Sequence, residues 1–287
     1  IMASGTDESS PADGVLDTSK YLTQMKHTER VISIDGMLVS SAFIGDIDEA
    51  KNHYDVRSAY STQIGRELAY HADRALIRTC IAGARKTADR FGGSDAKFLG
   101  AQVALDTDSP ADGVQGDEIV TGLFTVAQKM DEASVPSDGR YCILTPANYY
   151  KLLNTADDNV LRAINRDFGN EGNGSVARGE VVQVAGLRIL KSNHIPTANE
   201  SSTQDAVFGD DLINNDVFTS DGGYSGANFT ATEGICFQTE GLGTVKLLDL
   251  AMESEYQLDR LGTLMVAKYA MGHGILREEC LFELTTA

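Results

Sequence analysis

Between residues 55 and 85 an apolar side chain returns every fourth position: Val56, Tyr60, Ile64, Leu68, Ala72 and Leu76. Arg57, Arg66, Glu67, Asp73 and Arg74 fall off that line. Kept up over some twenty positions, the pattern predicts one long amphipathic helix, the element to which the rest of the chain must fit. Asp55 is well placed as its N-cap, because its carboxylate can take a free backbone N–H two or three residues on. Asp46, with Glu49 three positions later, fits a capping box for a short helix just before it. The residues between, DEAKNHYDVRS at 48–58, hold the side-chain inventory of an active site. They also hold what two successive helix starts require, with acids at the positive ends of the dipoles.

Around that helix the texture varies. HTERVISIDG (27–36) alternates and is rich in β-branched residues, and reads as a strand ended by Gly36. Residues 86–118 lose periodicity among Gly92, Gly93, Gly100, Pro110, Gly113 and Gly116, which predicts a surface excursion. IVTGLFTVAQKMDEASV resumes helical spacing up to Pro136, RYCILTP reads as a buried strand, and PANYYKLLN opens a helix with Pro in its first turn. GNEGNGSVARG (169–179) forms another glycine-rich loop. EVVQVAGLRILKS then reads as two strands about a turn at Ala185-Gly186, followed by strand-like GICFQTE, GTVKLLDLAME and LGTLMVAKYAMG. The order predicts an α+β fold in place of regular βαβ winding. SPADG occurs at 10–14 and at 109–113, which is turn chemistry used twice and no true repeat.

Composition removes several functions. Forty-two acids against 24 Lys and Arg give a formal charge of −18, and no three basic residues run together, so a tight nucleic-acid binder is not expected. No run of 18 apolar residues is present, and IMASGTDESS lacks the basic and apolar regions of a secretory signal. Ile1 standing ahead of Met2 suggests a chain that lacks its true beginning. Cys80, Cys142, Cys236 and Cys280 are far apart in sequence, which fits buried structural thiols in a reducing compartment.

The candidate chemistry is thin. DTDSPADGVQGDE (106–118) begins like a calcium loop, but Ala111 stands at the turn glycine and Asp117 at the bidentate glutamate. GLGTVK lacks the third glycine of a dinucleotide loop, GNEGNGSVARG lacks the ending of a phosphate loop, and no G-x-S-x-G or HExxH occurs. The five histidines have no metal-ligand spacing. His53 beside Asp48, Glu49 and Asp55 could form a base and its orienter, and His273 sits between two glycines in KYAMGHG. Catalytic, cofactor-binding and metal-ligating residues are accordingly expected to be none, and cofactors none.

Several long segments resemble the major capsid proteins of the short-tailed, T-seven-type podoviruses. They are KHTERVISIDG, DIDEAKNHYDVRSAYSTQIGRELA, YCILTPANYYKLL, VVQVAGLRILKSNHIP, GTVKLLDLAME and KYAMGHGILREE, in the family's order over most of residues 20–287. The resemblance implies the tailed-phage (Hong Kong 97-type) capsid fold, α+β, with a spine helix over Asp55 to about Arg85, an axial domain and a projecting E-loop. Residues 1–45 would hold the E-loop remainder and return strand, 46–136 the peripheral domain, 137–240 the axial domain and 241–287 the peripheral return strands. The family's N-terminal arm and outgoing E-loop strand would precede residue 1, and no covalent links between subunits are expected.

So read, the chain is a structural subunit of an icosahedral bacteriophage head and not an enzyme. It would assemble as hexamers and pentamers in the host cytoplasm and reside in the virion. Its expected partners are copies of itself, a scaffolding protein, the portal, decoration proteins, and packaged double-stranded DNA enclosed without specific binding; no membrane is expected. Lys26, His27, Arg30, Lys51, His53 and Arg57 are the candidate inter-subunit contacts, and Asp46 and Asp55 the candidate helix caps. Two other readings stay open: an encapsulin-type nanocompartment shell, and a soluble acid–base or metal enzyme using the Asp46–Asp55 cluster.

Overall fold

The computed structural model describes residues 29–34, 36–51, 55–87, 95–105, 114–153, 174–175, 180–181, 183–199 and 228–286. Lys26, His27, His53, both SPADG turns and most of the two glycine-rich loops lie outside them.

The long helix spans Val56–Ala84 (α2), with Asp55 as N-cap and Arg85 as C-cap. Asp55 stands in extended backbone and accepts the Ser58 N–H at 3.2 Å. A strict four-residue line turns about 40° further round a 3.6-residue helix at each step. The buried stripe therefore leaves that line: Ile64, Leu68, His71, Ala75 and Arg78 follow mixed spacings of three and four. Tyr60 is 49% exposed, so that member of the line faces outward, and Leu76 is half-buried. From Ile77 to Ala84 the helix is buried all round, as a helix must be where it passes between layers.

Along its N-terminal half α2 packs on a three-stranded sheet in the order β1-β10-β9: Leu38–Gly45 (β1), Gly262–Ile275 (β10) and Leu242–Gln257 (β9). Ile64 and Leu68 meet Ala267 and Tyr269, and Val56 meets Ile44 and Met265. The short helix Asp46–Lys51 (α1) connects β1 to α2.

The C-terminal half of α2 packs on a six-stranded mixed sheet. Its strands are Ala101–Ala104 (β2), Arg140–Leu144 (β3), Gln183–Val184 (β6), Leu187–Lys191 (β7), Thr232–Gln238 (β8) and Leu281–Thr285 (β11), in the order β2-β11-β8-β3-β7-β6. Helices Gly116–Glu132 (α3) and Pro146–Leu153 (α4) cover its other face with Ile119, Leu123, Val126, Met130 and Leu152. Gly174–Ser175 (β4) and Glu180–Val181 (β5) form a two-stranded ladder. Ala185 and Gly186 both have positive φ, 51° and 80°, which joins β6 to β7 through the primed turn that a two-residue hairpin needs.

Of the strand expected at 27–36, the described residues 29–34 and 36 show none. Residues 29–34 pair with no strand, and the ladder begins beyond Gly36, at Leu38, where β10 supplies a partner. Alternation records which side chains could face a core, and a ladder also needs an unpaired edge beside it. Segments 101–104 and 281–285, read from sequence as peripheral, are both strands of the six-stranded sheet.

Candidate subunit-contact surface

In the junction at 46–58, Asp46, Glu49, Asp55 and Arg57 each have a partner. Asp55 caps α2. Asp46 is the first residue of α1, its N–H donates to the Leu261 carbonyl at 3.1 Å, and its carboxylate accepts the Tyr256 hydroxyl at 2.7 Å. That hydrogen bond holds the phenol of Tyr256 protonated and raises its pKa. Arg57 donates to Glu49 at 2.7 Å, with both side chains well exposed. Lys51 is exposed at the end of α1. Three of the carboxylates that suggested acid–base chemistry thus hold α1, α2 and the β9–β10 turn in place. Arg30 lies elsewhere, on the buried carboxylate of Glu278.

Glu278 and Glu283 were not singled out by sequence reasoning. Both side chains are 0% exposed. Arg85 grips Glu283 with two nitrogens, at 2.7 and 2.6 Å, and also donates to the Asn228 carbonyl at 2.8 Å. Thr232 and Gln102 donate to the same carboxylate at 2.6 and 2.9 Å. One buried anion thereby ties the end of α2 to β2, β8 and β11. The available signal was Glu283 between Phe282 and Leu284, a charge inside an apolar strand, which must have a buried partner.

What remains exposed is concentrated on the β9–β10 hairpin. Strand β9 is sixteen residues long and pairs only with β10 among the described strands, so one whole edge is open. Leu247 (66% exposed), Leu248, Leu250, Met252 and Tyr256 are all accessible, since α2 covers β1 and β10 and leaves β9 bare. On the face turned away from α2, Val39 and Phe43 of β1 are exposed, and Lys268 pairs with Glu253 at 2.9 Å. At the hairpin tip Leu258 and Leu261 are 78% and 63% exposed, beside exposed Asp259 and Arg260. Leu261 also has φ +50°, a left-handed conformation that is costly for a bulky residue. A long, flat, apolar edge is an aggregation hazard in a free monomer, and it is tolerated where another chain covers it.

Polar contacts elsewhere are local. His194 Nδ1 lies 3.0 Å from Asp73 Oδ2, with the Tyr70 ring edge-on, and fastens the turn after β7 to α2. An apolar crevice of about 340 Å³ between α2 and the large sheet is lined by Leu76, Ile77, Cys80, Ile143, Phe237 and Leu242. Burial raises the Cys80 thiol pKa far above its usual range, so it is an inert, protonated core group. Among the described residues no three His, Cys, Asp or Glu side chains gather closely enough to hold a metal ion.

Comparison with known proteins identifies the family. The family described as Gp10A-like, major capsid protein, matches residues 10–285. The major capsid protein of Escherichia phage T7 is 28% identical over 279 residues, covering 94% of this chain and 75% of that protein. That of Enterobacteria phage T3 is 30% identical over 291 residues, with the same two coverages. Among solved structures, the capsid of Cyanophage P-SCSP1u is 37% identical, with TM-score 0.76 over 99% of this chain and 80% of that one. The mature capsid of bacteriophage PhiM1 is 18% identical with TM-score 0.69 over 97% and 77%, and so shares the fold. A match over almost the whole length shows that the chain belongs to the Gp10A-like family of phage major capsid proteins.

Proposed function

We propose that the chain is the shell-forming subunit of an icosahedral bacteriophage head, assembling as hexamers and pentamers around packaged double-stranded DNA. Its family consists of structural capsid proteins, so it is a component of the virion and not an enzyme. The observation that carries the assembly reading is β9: sixteen residues with an open edge and a row of exposed apolar side chains, continued by Leu258 and Leu261 at the tip. A surface of that kind needs further copies of the chain. On this reading α2 with the three-stranded sheet is the peripheral domain. The six-stranded layer is the axial domain, enlarged beyond 137–240 by β2 and β11. The E-loop lies before about residue 34, and Lys26, His27, Arg30, Lys51, His53 and Arg57 are contact candidates around its base.

The formal charge of −18 supports a shell wall that encloses DNA without holding it. A scaffolding protein during assembly in the host cytoplasm, the portal and decoration proteins complete the proposed partners. Electron microscopy of the full chain expressed with its scaffold tests the reading. Closed shells or six-membered capsomers are expected, and their absence across salt and pH conditions would count decisively against it.

A further inference from the structure

The GHG stretch of β10, which looked like a candidate site, has a different use. Residues 32–34 cross the β9–β10 hairpin over three glycines. A Cβ on Gly274 would stand 2.7 Å from Ile32 Cγ1, and one on Gly243 would stand 3.0 Å from Ile32 Cδ1. A Cβ on Gly272 would overlap the backbone carbonyl of Ser33. Real side-chain carbons do not approach as closely as the Gly272 and Gly274 positions would require, and the Gly243 position is tight, so the crossing chain relies on these positions being bare. Next to the track, Glu278 offers one fully buried carboxylate oxygen, Oε1, to Arg30 and, at 3.4 Å, to Lys86 just beyond α2. The turn that presents Glu278 is itself pinned. Leu276 and Arg277 donate their N–H groups to the Gly241 carbonyl, and the Arg277 guanidinium spans Glu240 and Glu279.

We infer that residues 30–34 are a strap clamped to the hairpin by the glycine track and by the Arg30–Glu278 pair. In this arrangement Glu278 is a positioning residue that fixes where residues 30–34, led by the contact candidate Arg30, run across the hairpin. The inference rests on the assembly reading above. Two independent halves hold the strap, one steric and one ionic. A buried carboxylate has little freedom to shift its partner, and an interior charge that loses that partner is strongly destabilised.

The test uses the full chain with Gly274→Val, which fills the track, and Arg30→Ala, which removes the strap's cation and leaves Glu278 to Lys86 alone; Arg30→Lys serves as the conservative control. Amide hydrogen exchange on the isolated subunit should rise about tenfold across residues 30–34 in the first two variants. Exchange within 64–82 of α2 should stay unchanged, and Arg30→Lys should remain near the unmodified chain. Both variants should also form fewer or malformed shells. Unchanged exchange across 30–34 in both variants overturns the clamp. Faster exchange with shells of unmodified yield and shape overturns its positioning role. An unmodified chain that forms no shells would sink the assembly reading instead, and exchange would still decide the clamp.

Discussion

Asp55 shows how little the chemistry of a charged stretch says about catalysis. Its carboxylate accepts the Ser58 amide and ends there. Asp55→Ala should therefore lower subunit stability by about 1 kcal/mol, read as a denaturation midpoint, with Asp55→Asn close to unchanged. His273 is the opposite case, a titratable side chain held away from water. Burial lowers its pKa to about 4 from an ordinary 6.5, while its Nδ1 lies 3.0 Å from the Thr244 hydroxyl. The folded chain thus binds fewer protons than the unfolded chain between those two values. Stability is complete above about pH 6.5 and falls as pH drops toward 4, by on the order of 2–3 kcal/mol. His273→Gln should flatten the pH dependence of the urea midpoint in that window. An unchanged slope would show that other groups set it. The Asp55 cap was legible from its place just ahead of the helix, whereas the use of GHG was not: its glycines leave room for Ser33 and Ile32 to lie across them.

At the scale of elements, α2 is the piece that the sequence specified best, in both position and length. Its four-residue period and Asp55 located it, because local capping and amphipathicity act within a few turns. Which of its side chains are buried depended on what lay beside it. Its first half needs one apolar face for the small sheet, and its last eight residues pass between the large sheet and the hairpin. The joint at its end is Arg85 on Glu283. Removing the cation leaves a buried anion with neutral donors only, so Arg85→Ala should destabilise the subunit by about 3 kcal/mol or more. Calorimetry checks this, and a change below about 1 kcal/mol would mean that Thr232 and Gln102 suffice. The expected strand at 27–36 failed for an elemental reason as well. Its alternation was real, but residues 29–34 pair with no strand edge among the described residues, and Ile32 instead packs over the bare positions Gly243 and Gly274.

For the whole molecule, the exposed hairpin separates folding from assembly. Leu247 and Leu250 touch no core of their own chain and are largely accessible. Leu247→Glu with Leu250→Glu should leave the unfolding free energy of the isolated subunit within about 0.5 kcal/mol of unmodified while abolishing shell formation, measured by sedimentation. A large loss of subunit stability would place those leucines inside the fold instead. The sequence by itself determined the α+β class, the spine helix with its N-cap, the turn at Ala185-Gly186 and the absence of a basic stripe, since each follows from local periodicity, turn chemistry or charge. The resemblance of its segments supplied the capsid family. Only the tertiary structure decided that residues 101–104 and 281–285 complete one sheet with β3 and β8, that Glu278 and Glu283 are buried hubs, and that thirteen of the sixteen residues of β9 are exposed. These depend on contacts between segments distant in the chain. A local pattern records what a side chain can bury, but not which distant partner arrives to bury it.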